Sequence, residues 1–288
     1  MKRVLGLMVA VLWLSAVHAY DPTNRQEYLA KIAQAEAYYN HKCATVAGEK
    51  IYKTVSDVEG VLLMKVRPRA TDREYREPNW PGAAFAREAD GDSYIMSFLG
   101  YEWATSANGK YLPITRSQRG LITPDSNPSN PANLPGYGWV DVVDEKDGKR
   151  YRYTLVKKIV GRLDPNSVNV QVDLRRNPDM DLNTYRTVLD RQIAPEPAPR
   201  YGVTFEDHVV PEERAMWVAS STVKAIDIKA HEVLGELTRY AMSYVHVASS
   251  SNPGPWLSAY ECPALGGPTA NYATRLFVDQ VLIPAKEH

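Results

Sequence analysis

Cysteine is nearly absent: Cys43 and Cys262 are the only two in 288 residues, and no Cys-x-x-Cys spacing exists to support dithiol redox catalysis. A charge surplus is missing as well. Thirty-four Lys and Arg face thirty-four Asp and Glu, so there is no cationic field of the kind a general polyanion or nucleic-acid binder needs. The chain has no Gly-x-Ser-x-Gly elbow, no glycine-rich phosphate loop, no His-x-His and no His-Glu-x-x-His. Nor does it have an Asn-x-Ser/Thr acceptor with a non-proline centre, since Asn127-Pro128-Ser129 is spoiled by its proline. Beyond the first nineteen residues no apolar run approaches the ~20 residues that a membrane-spanning helix requires.

Residues 1–19 themselves are strongly patterned. Met1-Lys2-Arg3 is a short basic start, Val4 to Ala16 is nearly continuous apolar sequence, and Val17-His18-Ala19 places small residues where a signal peptidase cuts. The expectation is a cleaved signal peptide with Tyr20 as the first mature residue; the apolar stretch is short for a retained anchor. Losing Lys2 and Arg3 leaves the remainder two charges on the acidic side. An exported chain meets an oxidising compartment, where two cysteines most simply form one disulfide, Cys43–Cys262; two buried free thiols are the other reading. With no glycosylation acceptor and a very short basic start, the expected destination is the periplasm, with secretion as the alternative.

Residues 20–288 read as a single domain. Tyr28, Ile32, Ala35 and Tyr39 recur at helical spacing, so an N-terminal helix capped at Thr23 and ending near Asn40-His41 is expected to lay one face on a sheet. Lys50 to Val55 and Val58 to Val66 have strand composition, with Asp57 and Gly60 marking a turn or bulge. Arg69 to Asp92 reads as a charged surface connection, and Ser93 to Trp103 as a further strand. Residues 120–138, with Pro124, Pro128, Pro131 and Pro135, read as a long Pro/Asn-rich loop.

Two β-hairpins are predicted. One covers about 139–155 around Asp147-Gly148; the other covers about 216–240 around Lys229-Ala230-His231, where Ala, Lys, Glu and Leu leave a helix as the competing reading. Val168, Val170 and Val172 alternate as in a half-buried strand, and 179–192 reads as helix or irregular. A short C-terminal helix, stopped by Pro284, buries Tyr272, Ala273, Leu276, Phe277 and Val281. The expected class is therefore α+β: antiparallel and strand-rich, with the N-terminal helix packed on the sheet.

The histidines His41, His208, His231, His246 and His288 are scattered, and no metal or cofactor set is predicted. Asp90, Asp92 and Glu102 flank a predicted strand near Asp141, but no particular carboxylate pair is marked out for glycosidase chemistry. What stands out is aromatic residues with polar tips: eighteen Tyr and six Trp against four Phe. Such residues suit contact surfaces. Tyr101, Trp103, Tyr137 and Trp139 bracket the proline loop and are the predicted binding patch; ordinary core packing is the competing explanation. The functional expectation is a non-enzymatic exported envelope protein that binds a protein partner or small ligand, without nucleic acid or stable membrane insertion. A hydrolase of an envelope polymer and a structural or assembly component of the cell surface are the alternatives.

Overall fold

The computed structural model describes residues 22–99, 136–245, 254–265 and 267–285. The predicted leader, and residues 120–135 of the predicted loop at 120–138, therefore lie outside the described residues. The chain opens with helix α1 (Pro22–Thr45), followed by strands β1 (Gly48–Ile51), β2 (Val55–Val58) and β3 (Gly60–Leu63). Two 3-10 turns, Glu74–Arg76 and Pro81–Phe85, precede helix α2 (Gly91–Phe98). Strands β4 (Trp139–Val143) and β5 (Arg150–Arg162), helix α3 (Val168–Arg176), and strands β6 (Asn183–Ile193) and β7 (Tyr201–His208) come next. Helix α4 (Pro211–Ala215), strands β8 (Val218–Asp227), β9 (Glu232–Met242) and β10 (Tyr260–Cys262), helix α5 (Ala273–Val281) and strand β11 (Leu282–Pro284) complete the order.

The main sheet runs β1-β9-β8-β7-β3-β4-β5-β6, with β10 also pairing β9. It is mixed, which corrects the antiparallel expectation: β3 is parallel to both β4 and β7. The reason is connectivity. A tight turn joins antiparallel neighbours, whereas the long segment between β3 and β4 carries the chain back to the same end of the sheet, as a parallel pair requires. β2 and β11 form a separate parallel pair.

Both predicted hairpins are present. β4 pairs β5 antiparallel across a turn in which Gly148 takes φ +68°, and β8 pairs β9 across a corner where Asp227 accepts from the Ala230 amide at 3.0 Å. The predicted bend at Asp57 is also there, with φ +59°. Gly60 answers a different demand: a methyl there would collide with the Trp139 indole, which lies across it from the neighbouring strand.

The principal core lies on one face of the sheet. Val61, Leu63, Val140, Val203, Val223 and Leu237 pack there against Ala83–Ala86, Tyr94 and Phe98 of α2, Trp256, and Phe277 and Val281 of α5. Strand residues alternate faces, so Tyr240 and Met242 look the other way, where they meet Ala35 and Tyr39 of α1 with Val218. The apolar stripe of α1 thus packs along its C-terminal half. The Cys43–Cys262 disulfide fastens this helix to β10, bridging 219 residues with Cα atoms 5.7 Å apart.

Four local expectations are corrected. Ser93–Phe98 is helical, because Tyr94, Ile95 and Phe98 follow helical spacing and sink together into the core, and the rest of that predicted strand beyond Leu99 lies outside the described residues. Val168–Val172 is also helix: Ser167 caps it by accepting from the Val170 amide, and Val168 is 77% exposed, so no sheet face rewards the valine alternation. Residues 183–193 form a long strand, fixed by pairing with β5 that no local pattern announced. Arg69 to Asp92 is not merely surface, since Ala83, Ala84, Phe85 and Ala86 are core residues.

Candidate functional site

Of the predicted aromatic patch, Tyr137 and Trp139 lie among the described residues. Tyr101 and Trp103 fall outside the described residues. Tyr137 is 0% exposed; it stacks on Phe98, and its hydroxyl donates to the Leu282 carbonyl. Burial and the nearby Asp279 carboxylate push that phenol well above its ordinary value. Trp139 is half-buried, with the Arg152 guanidinium 3.5 Å from its ring centre. Arg152 is held in turn by Asp141, a wholly buried carboxylate that Arg150 also reaches.

Buried charge is concentrated beneath the Pro81–Phe85 turn. The Arg67 guanidinium is sandwiched 4.1 Å from each of the Phe85 and Phe205 ring centres. Its Nε donates to Glu88 at 2.5 Å and its Nη1 to Asp207 at 3.2 Å. Burial works against this charge, but the two carboxylates outweigh it and hold the arginine above its ordinary value. Glu88 also accepts from the Thr274 amide and hydroxyl, at 2.7 and 2.8 Å. Beside this group, Arg87 and Arg239 both grip Glu261. A pocket of about 120 Å³ opens next to Arg67, walled by Tyr75, Trp80 and Phe85 and rimmed by Glu74 and Asp90.

These groups are arranged to neutralise one another. Glu88 has both oxygens engaged, and Asp207 is shared between Arg67 and the Ser221 hydroxyl. Ser220 donates to Glu213 at 3.2 Å, while the His208 ring sits 3.1 Å from Thr222. A serine held against a histidine does not form among the described residues, and no cluster of His, Cys, Asp and Glu suited to a metal occurs among them.

A second feature, absent from the sequence expectations, is the ribbon made by β5, α3 and β6. β4 reaches only as far as Tyr153 along β5, whereas β5 and β6 stay paired out to Arg162 and Asn183. Leu155 is still buried against the body, and Leu189 packs beside it. Beyond them the two strands project by roughly 20 Å at the rise of an extended chain. There Ile159 and Val160 are each 60% exposed, and among the described residues α3 at the tip has no extensive contact with another element. A two-stranded ribbon is marginal by itself, and this one displays apolar residues to solvent.

The ribbon was legible only in part. Ile159-Val160 reads as strand in any local scan, but their exposure follows from how far β4 reaches, which no short-range pattern encodes. The arginine network was harder still, because its members Arg67, Glu88, Asp207 and Thr274 are dispersed through the chain. No protein-family profile, curated protein or solved structure matches the chain.

Proposed function

We propose that this is an exported, periplasmic envelope protein that works by binding a protein partner, and that the β5–α3–β6 ribbon is its contact element. Export is inferred from the leader pattern of residues 1–19 and is supported by the Cys43–Cys262 disulfide, which an oxidising compartment maintains. Among the described residues no helix is long and apolar enough to cross a membrane. The observation that carries the binding role is the ribbon: paired strands that outrun the body and hold Ile159, Val160, Leu163 and Val168 in water. The contact surface is thus moved from the predicted aromatic patch to an aliphatic one.

Photo-crosslinking in the intact envelope tests this. A photoreactive residue at Ile159 should yield a discrete protein adduct, and one at exposed Tyr52 on the far side of the sheet should not. Absence of any adduct at Ile159, with the chain exported and folded, would remove the ribbon from the function.

A further inference from the structure

The two ends of the main sheet are treated differently. At one end β1 is only four residues long, a common way to blunt an edge. At the other, β6 is eleven residues long and no further strand pairs with it among the described residues. The single register irregularity of the ribbon lies between Ile159 and Gly161 of β5, so β6 itself is unbroken by a bulge. Such an edge is a template for another strand.

The sequence of β6 selects its occupant. When two copies of a strand pair antiparallel about a two-fold axis, residues equidistant from the axis face each other. With the axis at Val188, Arg186 of each chain lies directly opposite Asp190 of the other, twice over, and Val188 meets its own copy. All three share one face of the strand by the two-residue period. An axis at 186 sets arginine against arginine, and one at 190 sets aspartate against aspartate, which opposes those registers. Arg186 is exposed, and Asp190 is half-buried and accepts from the Gln192 amide at 2.8 Å. Edges that repel partners carry charge of one sign; this one carries both signs at self-complementary positions.

We infer that β6 is a dimer edge, and that its occupant is β6 of a second copy of this chain, joined antiparallel with Val188 on the two-fold axis. The main sheet then continues from one chain into the other in the order β5-β6-β6-β5, with each β5 on the outer side of the paired edges. The contact is isologous, as a two-fold dimer requires. A single pair of edge strands is expected to bury less than a standard interface, so the association is weak, with a Kd on the order of micromolar. This inference rests on the ribbon being the contact element.

Sedimentation velocity on the full exported chain, with its disulfide intact, over about 1–200 µM reads the result. The expected outcome is a concentration-dependent monomer–dimer equilibrium. Arg186→Asp and Asp190→Arg should each raise Kd by about tenfold or more, since each turns two attractive pairs into two repulsive ones. The double variant should return to the original Kd. Circular dichroism and melting of each variant control for folding, and the double variant discriminates even where a single one is impaired. A monomer throughout, a Kd indifferent to either reversal, or a double variant that fails to recover would overturn the dimer. A monomer that still gives a heterologous adduct at Ile159 discards the second copy while keeping the ribbon as contact element. Loss of the adduct as well discards both.

Discussion

Replacing Arg67 by methionine removes the cation from an enclosed site while keeping much of its aliphatic volume. Glu88, whose side chain is 1% exposed, then loses its charged partner at 2.5 Å. Asp207 loses a donor, and Phe85 and Phe205 lose the guanidinium between them. Leaving a buried charge uncompensated costs about 3–5 kcal/mol, and each cation–π contact adds about 1 kcal/mol. The expected destabilisation is therefore about 4 kcal/mol after partial relaxation, a fall in melting temperature of roughly 10 °C for a chain of this size. Urea unfolding followed by tryptophan fluorescence measures it. Pairing the change with Glu88→Gln discharges the orphaned carboxylate while leaving a carbonyl for the Thr274 amide, so the double variant should recover at least half of the loss. A single-variant effect below about 1 kcal/mol, or a double variant as damaged as the two singles combined, would refute the view that these charges hold the Pro81–Phe85 turn on the sheet.

Cys43→Ser should lower stability by roughly 3–5 kcal/mol, through the loop entropy released to the unfolded chain, and reductant should reproduce the effect in the parent protein as judged by melting with and without thiol. Gly60→Ala forces a methyl into the Trp139 indole and should destabilise by about 1–3 kcal/mol, whereas Gly60→Ala with Trp139→Ala should behave like Trp139→Ala alone. Burial raises the Tyr39 phenol to about 12, and burial also raises those of Tyr94 and Tyr137. A phenol raised on folding keeps its proton while the unfolded chain ionises near pH 10, so stability is intact below about 10 and falls as pH climbs toward 12. Ultraviolet titration should show a tyrosine class that ionises only with unfolding; a single titration near 10 in the folded protein would contradict it. Replacing residues 156–188 by an Asn-Gly turn closes the ribbon at the Leu155–Leu189 pair and should leave the melting temperature of the body within a few degrees, because among the described residues α3 has no extensive contact with the body.

Local chemistry carried a good part of this architecture. Asp147-Gly148 and Lys229-Ala230-His231 announced their hairpins, because turns are specified by the residues that occupy them. The α1 stripe was legible because Ala35 and Tyr39 obey the helical period. The valines at 168, 170 and 172 misled, since alternation identifies a strand only where a sheet face is waiting, and here the Ser167 cap decided instead. β3 shows the deeper limit. Its composition reads as strand, yet whether it lies parallel or antiparallel to its neighbours depends on a distant connection. Tyr137 is a core residue for a related reason: tyrosine suits a wet surface and a satisfied core equally, and the Leu282 carbonyl supplied the partner that permits full burial. The β6 edge was written in Arg186, Val188 and Asp190, but it acquires meaning only once the strand is known to be terminal.

Cysteine scanning along β6 bears most directly on the pairing of two chains. Cys substitutions at Arg186, Val188 and Asp190 would be oxidised mildly and run on a non-reducing gel. In the proposed register only position 188 faces its own copy, at the ~5 Å between directly opposed Cβ atoms that a disulfide can bridge; residues 186 and 190 are displaced from theirs by four residues, ~13 Å along the strand. Val188→Cys should therefore give a covalent dimer, with little from the other two. Equal cross-linking at all three positions, or none at 188, would contradict the account.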